Sequence, residues 1–149
     1  MPVTQIPDSQ HLVRIVPRKH QIRNNKGEPI GITWAAFDLR PASKTRPAET
    51  YLSCNCIEDA SDDQTEALKK ILSILKTKLK TKNSLLTIGN VGAIKSAFTP
   101  HSVRIVSEKK ATDPTYAAVR RYPLDRQLAL DKLAAQQWAD WYKVSHIEQ

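Results

Sequence analysis

Glycine is scarce in this chain, with four residues in 149. That leaves little room for a loop that cradles phosphate on backbone N–H groups, and no glycine-rich nucleotide motif is present. Nucleophile elbows, zinc-ligand spacings and paired-carboxylate signatures are likewise missing. The only cysteines, Cys54 and Cys56, stand two apart on an expected strand, which points both side chains to one face. An i to i+2 disulfide fits strand geometry poorly and two sulfurs do not make a zinc site, so the reading is two reduced thiols, no metal and no cofactor. No run approaches the roughly 20 apolar residues needed to span a bilayer. Met1 is followed by a polar stretch without a charged-then-apolar leader, which predicts a cytoplasmic chain with no membrane partner. Aromatic side chains make up only 6%, which limits platforms for stacking single-stranded bases.

Positive charge is present in excess. Lysine and arginine outnumber the acidic residues 23 to 15, for a net charge of +8 and a pI near 9.6. Such a balance favours nucleic acid, an acidic protein or an anionic surface as partner. The length suits one domain. The expected layout is a flexible lead over residues 1–10, a folded unit over 11–144 and a tail over 145–149.

The β-branched run at 11–16, closed by Pro17, reads as a strand. Strands are also expected at 32–39, where Ala35-Ala36 would equally suit a helical turn, and at 51–57, 84–88 and 102–106, with a short strand or turn at 115–120 and a basic loop or hairpin end at 18–27. Ser61 followed by Gln64, acidic residues in the first turn and apolar residues at helical spacing predict a helix over 62–81. Pro123 opens a second expected helix over 124–144. Strand runs separated by helices indicate an α+β fold, a mostly antiparallel sheet with two helices packed on one face.

Residues 11–19 and 101–109 share His, Val, Arg, Ile, Val and Lys in register. One reading is catalytic: His11 and His101 as acid and base at a phosphodiester, with Arg14 and Arg104 holding the phosphate. The other is that Val-Arg-Ile-Val makes a good half-buried strand twice. Arg14, Arg18, Lys19, His20, Arg23 and Lys26 form the candidate phosphate-facing surface for nucleic acid. Trp138, Trp141 and Tyr142 crowd the end of the second helix, as core or as a partner-binding patch.

The His-x-x-Arg start at His11 and Arg14, the run 36–41 with Glu49 and residues 52–53 after it, the Val-Arg-Ile-Val at 103–106 and Asp113-Pro114 together resemble a set of small bacterial proteins. The resemblance implies no activity. It implies that His11, Arg14, Arg40, Glu49 and Ser53 belong to one feature, while the similar proteins carry Trp at position 56 and His at position 116, where this chain has Cys56 and Tyr116. The resulting expectation is a non-catalytic basic binding protein, an accessory subunit of a larger bacterial assembly that contacts nucleic acid or an acidic partner. A small phosphodiester-acting enzyme and a purely protein-binding subunit are the alternatives.

Overall fold

The computed structural model describes residues 3–39, 42–99, 102–122, 136–138 and 140–148, with the backbone alone of Trp34. Seven strands form one sheet: β1 (Thr4–Gln5), β2 (His11–Val16), β5 (Leu52–Cys56), β6 (Leu85–Asn90), β7 (Arg104–Ser107), β8 (Tyr116–Arg120) and β9 (Asp140–Lys143). Their order is β1-β7-β8-β5-β2-β6-β9, and β3 (Gln21–Arg23) with β4 (Pro29–Ile32) makes a separate hairpin. Every pairing in the large sheet is antiparallel. The expected α+β architecture with a mostly antiparallel sheet is therefore present.

Strand alternation divides the interior into two cores. Leu12, Val16, Leu52, Cys54, Cys56, Leu85 and Val119 face one side, with Phe37, Ile94, Phe98 and Trp138 over them. Val13, Leu86 and Ile88 face the other, beneath α1 (Ile57–Ala60), α2 (Gln64–Lys76) and α4 (Val144–Ile147). Helix α3 (Val91–Ala97) lies on the first face. The sheet is thus buried on both sides, which explains why β6 is buried at every position but its last rather than at alternate ones.

Helix α2 is shorter than its apolar spacing predicts. Asp63, rather than Ser61, caps it by accepting from Glu66 N–H at 3.0 Å, and the last turn closes where the Thr77 hydroxyl donates to the Ile74 carbonyl at 2.7 Å. Leu79, expected in the apolar stripe, is half exposed. The segment expected as a strand over 32–39 takes the alternative that Ala35-Ala36 allowed, a 3₁₀ helix at Trp34–Phe37, which drives Ala36 and Phe37 into the core.

Two further expectations are corrected. Of the helix expected over 124–144, residues 124–135 and 139 lie outside the described set. Residues 140–143 are strand β9, held by the ladder Leu85 to Lys143 and Thr87 to Trp141 on β6. The folded unit also reaches past the limits of 11–144. Thr4–Gln5 pairs with β7, Ile6 is buried, and Ile147 packs beneath α2. Apolar residues at both ends have sheet or helix surface to cover, which outweighs the polar composition around them.

Gly89 sits where the packing is tightest. A Cβ there would lie 2.9 Å from both Ile94 Cδ1 and Trp138 Cδ2, so this position, inside β6 and one past the strand end expected at 88, carries glycine for close approach.

Candidate functional site

The structure separates the two arginines of the candidate catalytic set. Arg14 shares a face with Leu12 and Val16, while Arg104 lies opposite Arg120 on the other face. Strands β8 and β5 stand between β7 and β2, a gap of roughly 14 Å at normal strand spacing. One phosphate cannot bridge two arginines placed on opposite faces of a sheet. The echoed sequence misleads because the two strands run in opposite directions and present opposite faces at matched positions.

His11 Nδ1 lies 2.8 Å from Glu58 Oε2, and Glu58 Oε1 accepts from the His11 backbone N–H at 2.8 Å. This pair ties α1 to β2. His101 and Arg40 lie outside the described residues. Cys56 is the nearby sulfur, 4.0 Å from Glu58 Oε1. Burial pushes its thiol up to about 11 and that of Cys54 up to about 12, the opposite of what a nucleophile needs. Among the described residues no group of three histidines, cysteines or carboxylates could hold a metal.

The residues singled out by resemblance meet in part. Arg14 donates to the Ala36 carbonyl through Nε (2.9 Å) and to the Ser53 carbonyl through Nη1 (2.7 Å). Ser53 Oγ is 2.8 Å from Tyr116 Oη, which reaches Tyr51 Oη at 3.4 Å. Burial pushes the Tyr116 hydroxyl up to about 12. Lys110 Nζ stands 3.9 Å from the Tyr116 ring centre and the Arg120 guanidinium 4.2 Å from that of Tyr51.

Arg120 also grips Glu108 with two nitrogens, Nη2 at 2.7 Å from Oε1. These hydrogen bonds hold the Glu108 carboxyl below its ordinary value of 4.5. A depressed carboxyl stabilises the fold fully above the unfolded value and loses that contribution as pH falls through the folded one. Glu108→Gln should therefore be less stable than the parent at pH 7, and the gap should close as denaturation curves are repeated below pH 4.5. A gap that persists at low pH would mean that packing, not charge, makes the contribution.

The basic loop resolves into a 3₁₀ turn, Arg18–His20, followed by the β3–β4 hairpin. Arg18, Lys19 and Lys26 are exposed. Desolvation, then the charges of Lys19 and Arg14, hold the His20 pKa below its usual value. Arg23 donates to the Gly27 and Asn83 carbonyls and to Gln21 Oε1. Arg14 and Arg23 are thus engaged in holding carbonyls, leaving Arg18, Lys19 and Lys26 as the free positive charge of the loop.

What the hairpin adjoins was not legible. An open cleft of about 470 Å³ lies between the hairpin turn, the 81–84 turn, the end of α2 and the end of β9. Arg23, Lys76, Lys82 and Lys143 line it with Ser84 and Ser145. Glu28 and Glu148 also line it, Glu148 paired with Lys76 at 2.7 Å, so the lining stays net positive. Because the helix ends at Lys76, Lys82 lies beyond it on the 81–84 turn and lines the cleft, whereas Lys78 reaches Asp113 at 3.1 Å.

Of the aromatic trio, Trp138 is 1% exposed and belongs to the first core, and Trp141 packs half-buried against it. Tyr142, 42% exposed on edge strand β9, is the one member left open to a partner. The fold and cleft define a class, an antiparallel α+β domain with a basic cleft at one end of its sheet. In comparison with known proteins, no family model, curated protein or solved structure matches the chain.

Proposed function

We propose that this chain is a non-catalytic basic binding protein that contacts nucleic acid through the cleft-bearing end of its sheet, working in the cytosol as an accessory subunit of a bacterial assembly. The observation that supports this reading is the convergence of Arg23, Lys76, Lys82 and Lys143, from four separate chain segments, around one open cleft. Arg18, Lys19 and Lys26 on the adjoining turn and hairpin widen the positive field. No helix among the described residues is long and apolar enough to cross a membrane, in keeping with a partner in solution.

Lys82 and Lys143 make none of the ion pairs found among the described residues, so they can neutralise phosphates without first breaking one. A Lys82→Ala/Lys143→Ala variant should bind labelled oligonucleotides roughly tenfold more weakly at low salt. The slope of log affinity against log salt should become shallower by about 2, close to one unit per lost contact. Anisotropy titrations across a salt series measure both. An affinity and slope equal to the parent's would remove the cleft from the interface.

A further inference from the structure

Strand β9 ends the sheet on the side opposite β1, and only its inner edge is bonded. Val144 N–H donates to the Ser84 carbonyl at 3.1 Å, one step beyond the Leu85–Lys143 pair. Antiparallel pairs alternate between bonded and non-bonded, so Tyr142 turns its main-chain groups toward β6 while Trp141 and Lys143 turn theirs outward. Among the described residues no strand pairs with that outer edge. Sheet edges are common, but this one has a pocket against it. Tyr142, opposite Leu86 on the helix-covered face, lines a pocket of about 240 Å³ with Leu68 of α2 and Ile147 of α4. Lys69 and His146, both exposed, also line it, and no described lining residue is acidic. The pocket shares no residue with the basic cleft.

We propose that β9 takes an extended segment of a partner protein as an added antiparallel strand, with an apolar side chain opposite Tyr142 seated in the pocket and an acidic residue two positions before it. Main-chain bonds to Trp141 and Lys143 supply affinity and the pocket supplies selection. A partner residue opposite Tyr142 falls in a non-bonded pair, where side chains on one face come closest. The pocket is smaller than the roughly 300 Å³ at which small-molecule sites begin, and it suits one large side chain. Charge fixes the acidic position. An antiparallel partner runs from the Val144 end toward Asp140, so a residue two positions before the apolar one stands at the α4 end, whose His146 lines the pocket with Lys69. Two positions after it, an acidic residue would face exposed Asp140 on the same side of the sheet, where like charges repel. A second copy of the chain is disfavoured as occupant, because it would bring together two molecules of charge +8.

The test is anisotropy with the full chain and a labelled peptide of about seven residues, phenylalanine at its centre, glutamate two positions before it and threonine elsewhere. The peptide should bind saturably. N-methylation of either neighbour of the phenylalanine removes a hydrogen that bonds to β9 and should weaken binding about tenfold, whereas methylation of the phenylalanine nitrogen, which points away, should change little. Moving the glutamate to two positions after the phenylalanine should also weaken binding, and Lys69→Glu should erase that difference. On the protein, Lys143 has φ −67°, which proline adopts without strain, and its N–H faces outward. Lys143→Pro should therefore keep the parent's urea denaturation curve yet bind the peptide about tenfold more weakly. No binding, indifference to the methylated position, or a chain that sediments as a dimer until Lys143→Pro dissociates it would each overturn the proposal. The nucleic-acid reading of the cleft stands or falls separately, on the oligonucleotide titrations.

Discussion

Replacing Trp138 by alanine is expected to cost about 3–5 kcal/mol of stability, among the largest effects of any single substitution in this chain. The side chain is 1% exposed, and its ring centre lies 5.2 Å from that of Phe37 with the planes tilted by 32°. It fills the space that Gly89 leaves open, and its backbone carbonyl accepts a hydrogen bond from the Thr87 hydroxyl. Alanine would leave a cavity bounded by β6, α3 and the 3₁₀ turn at Trp34–Phe37, three elements that meet over the first core. The surroundings cannot collapse inward easily, because Phe37 is anchored through its own carbonyl, which accepts from the Tyr122 hydroxyl. Trp141, half-buried on the edge strand, should lose much less when changed to alanine, about 1–2 kcal/mol. Urea denaturation of the two variants gives the comparison directly. Equal losses would mean that the core does not depend on Trp138.

That comparison also marks the limit of what the residues announced. Trp138, Trp141 and Tyr142 have the spacing of a helical stripe, and nothing in their pattern reveals that Asp140–Lys143 pairs with β6. Strand pairing is a long-range choice, made here because Leu85, Leu86 and Ile88 on β6 need a neighbour beyond β2. The 11–16 strand, the α2 stripe and the antiparallel α+β class were legible because their signals are local. Helix α3 was overlooked although Asn90 carries a cap signal, its Oδ1 accepting from Ala93 N–H at 2.9 Å. The strand expected over 84–88 was followed by no expected element before 102, and the helix is only seven residues long. Sequence pointed to the basic loop, but not to the cleft. Lys82 and Lys143 are 61 positions apart, and only the sheet order brings the ends of β6 and β9 together.

Asp113 carries the second large expectation. Its sequence context, Asp113-Pro114, signals a turn, and the residue does pair with Lys110 across one. Yet the residue is 1% exposed, and its carboxylate serves as the hub of a buried polar network. Oδ1 accepts from Thr115 N–H at 3.1 Å and from the Thr115 hydroxyl at 2.9 Å. Asn55 Nδ2 lies 3.1 and 2.9 Å from the two carboxylate oxygens, and Lys78 Nζ 3.1 Å from Oδ2. Alanine would orphan the Thr115 amide and one Asn55 hydrogen in a buried setting, each unsatisfied group costing about 1–3 kcal/mol. Lys78 is 35% exposed and can turn to water, so it adds little to the loss. Asp113→Ala should therefore cost about 3–4 kcal/mol. Asp113→Asn keeps one acceptor while turning an NH₂ group toward donors, so it should fall between the parent and alanine. Lys78→Ala should cost under about 1 kcal/mol. That ranking, measured by urea denaturation, separates a buried hydrogen-bond hub from a simple ion pair, for which Lys78→Ala and Asp113→Ala would cost about the same.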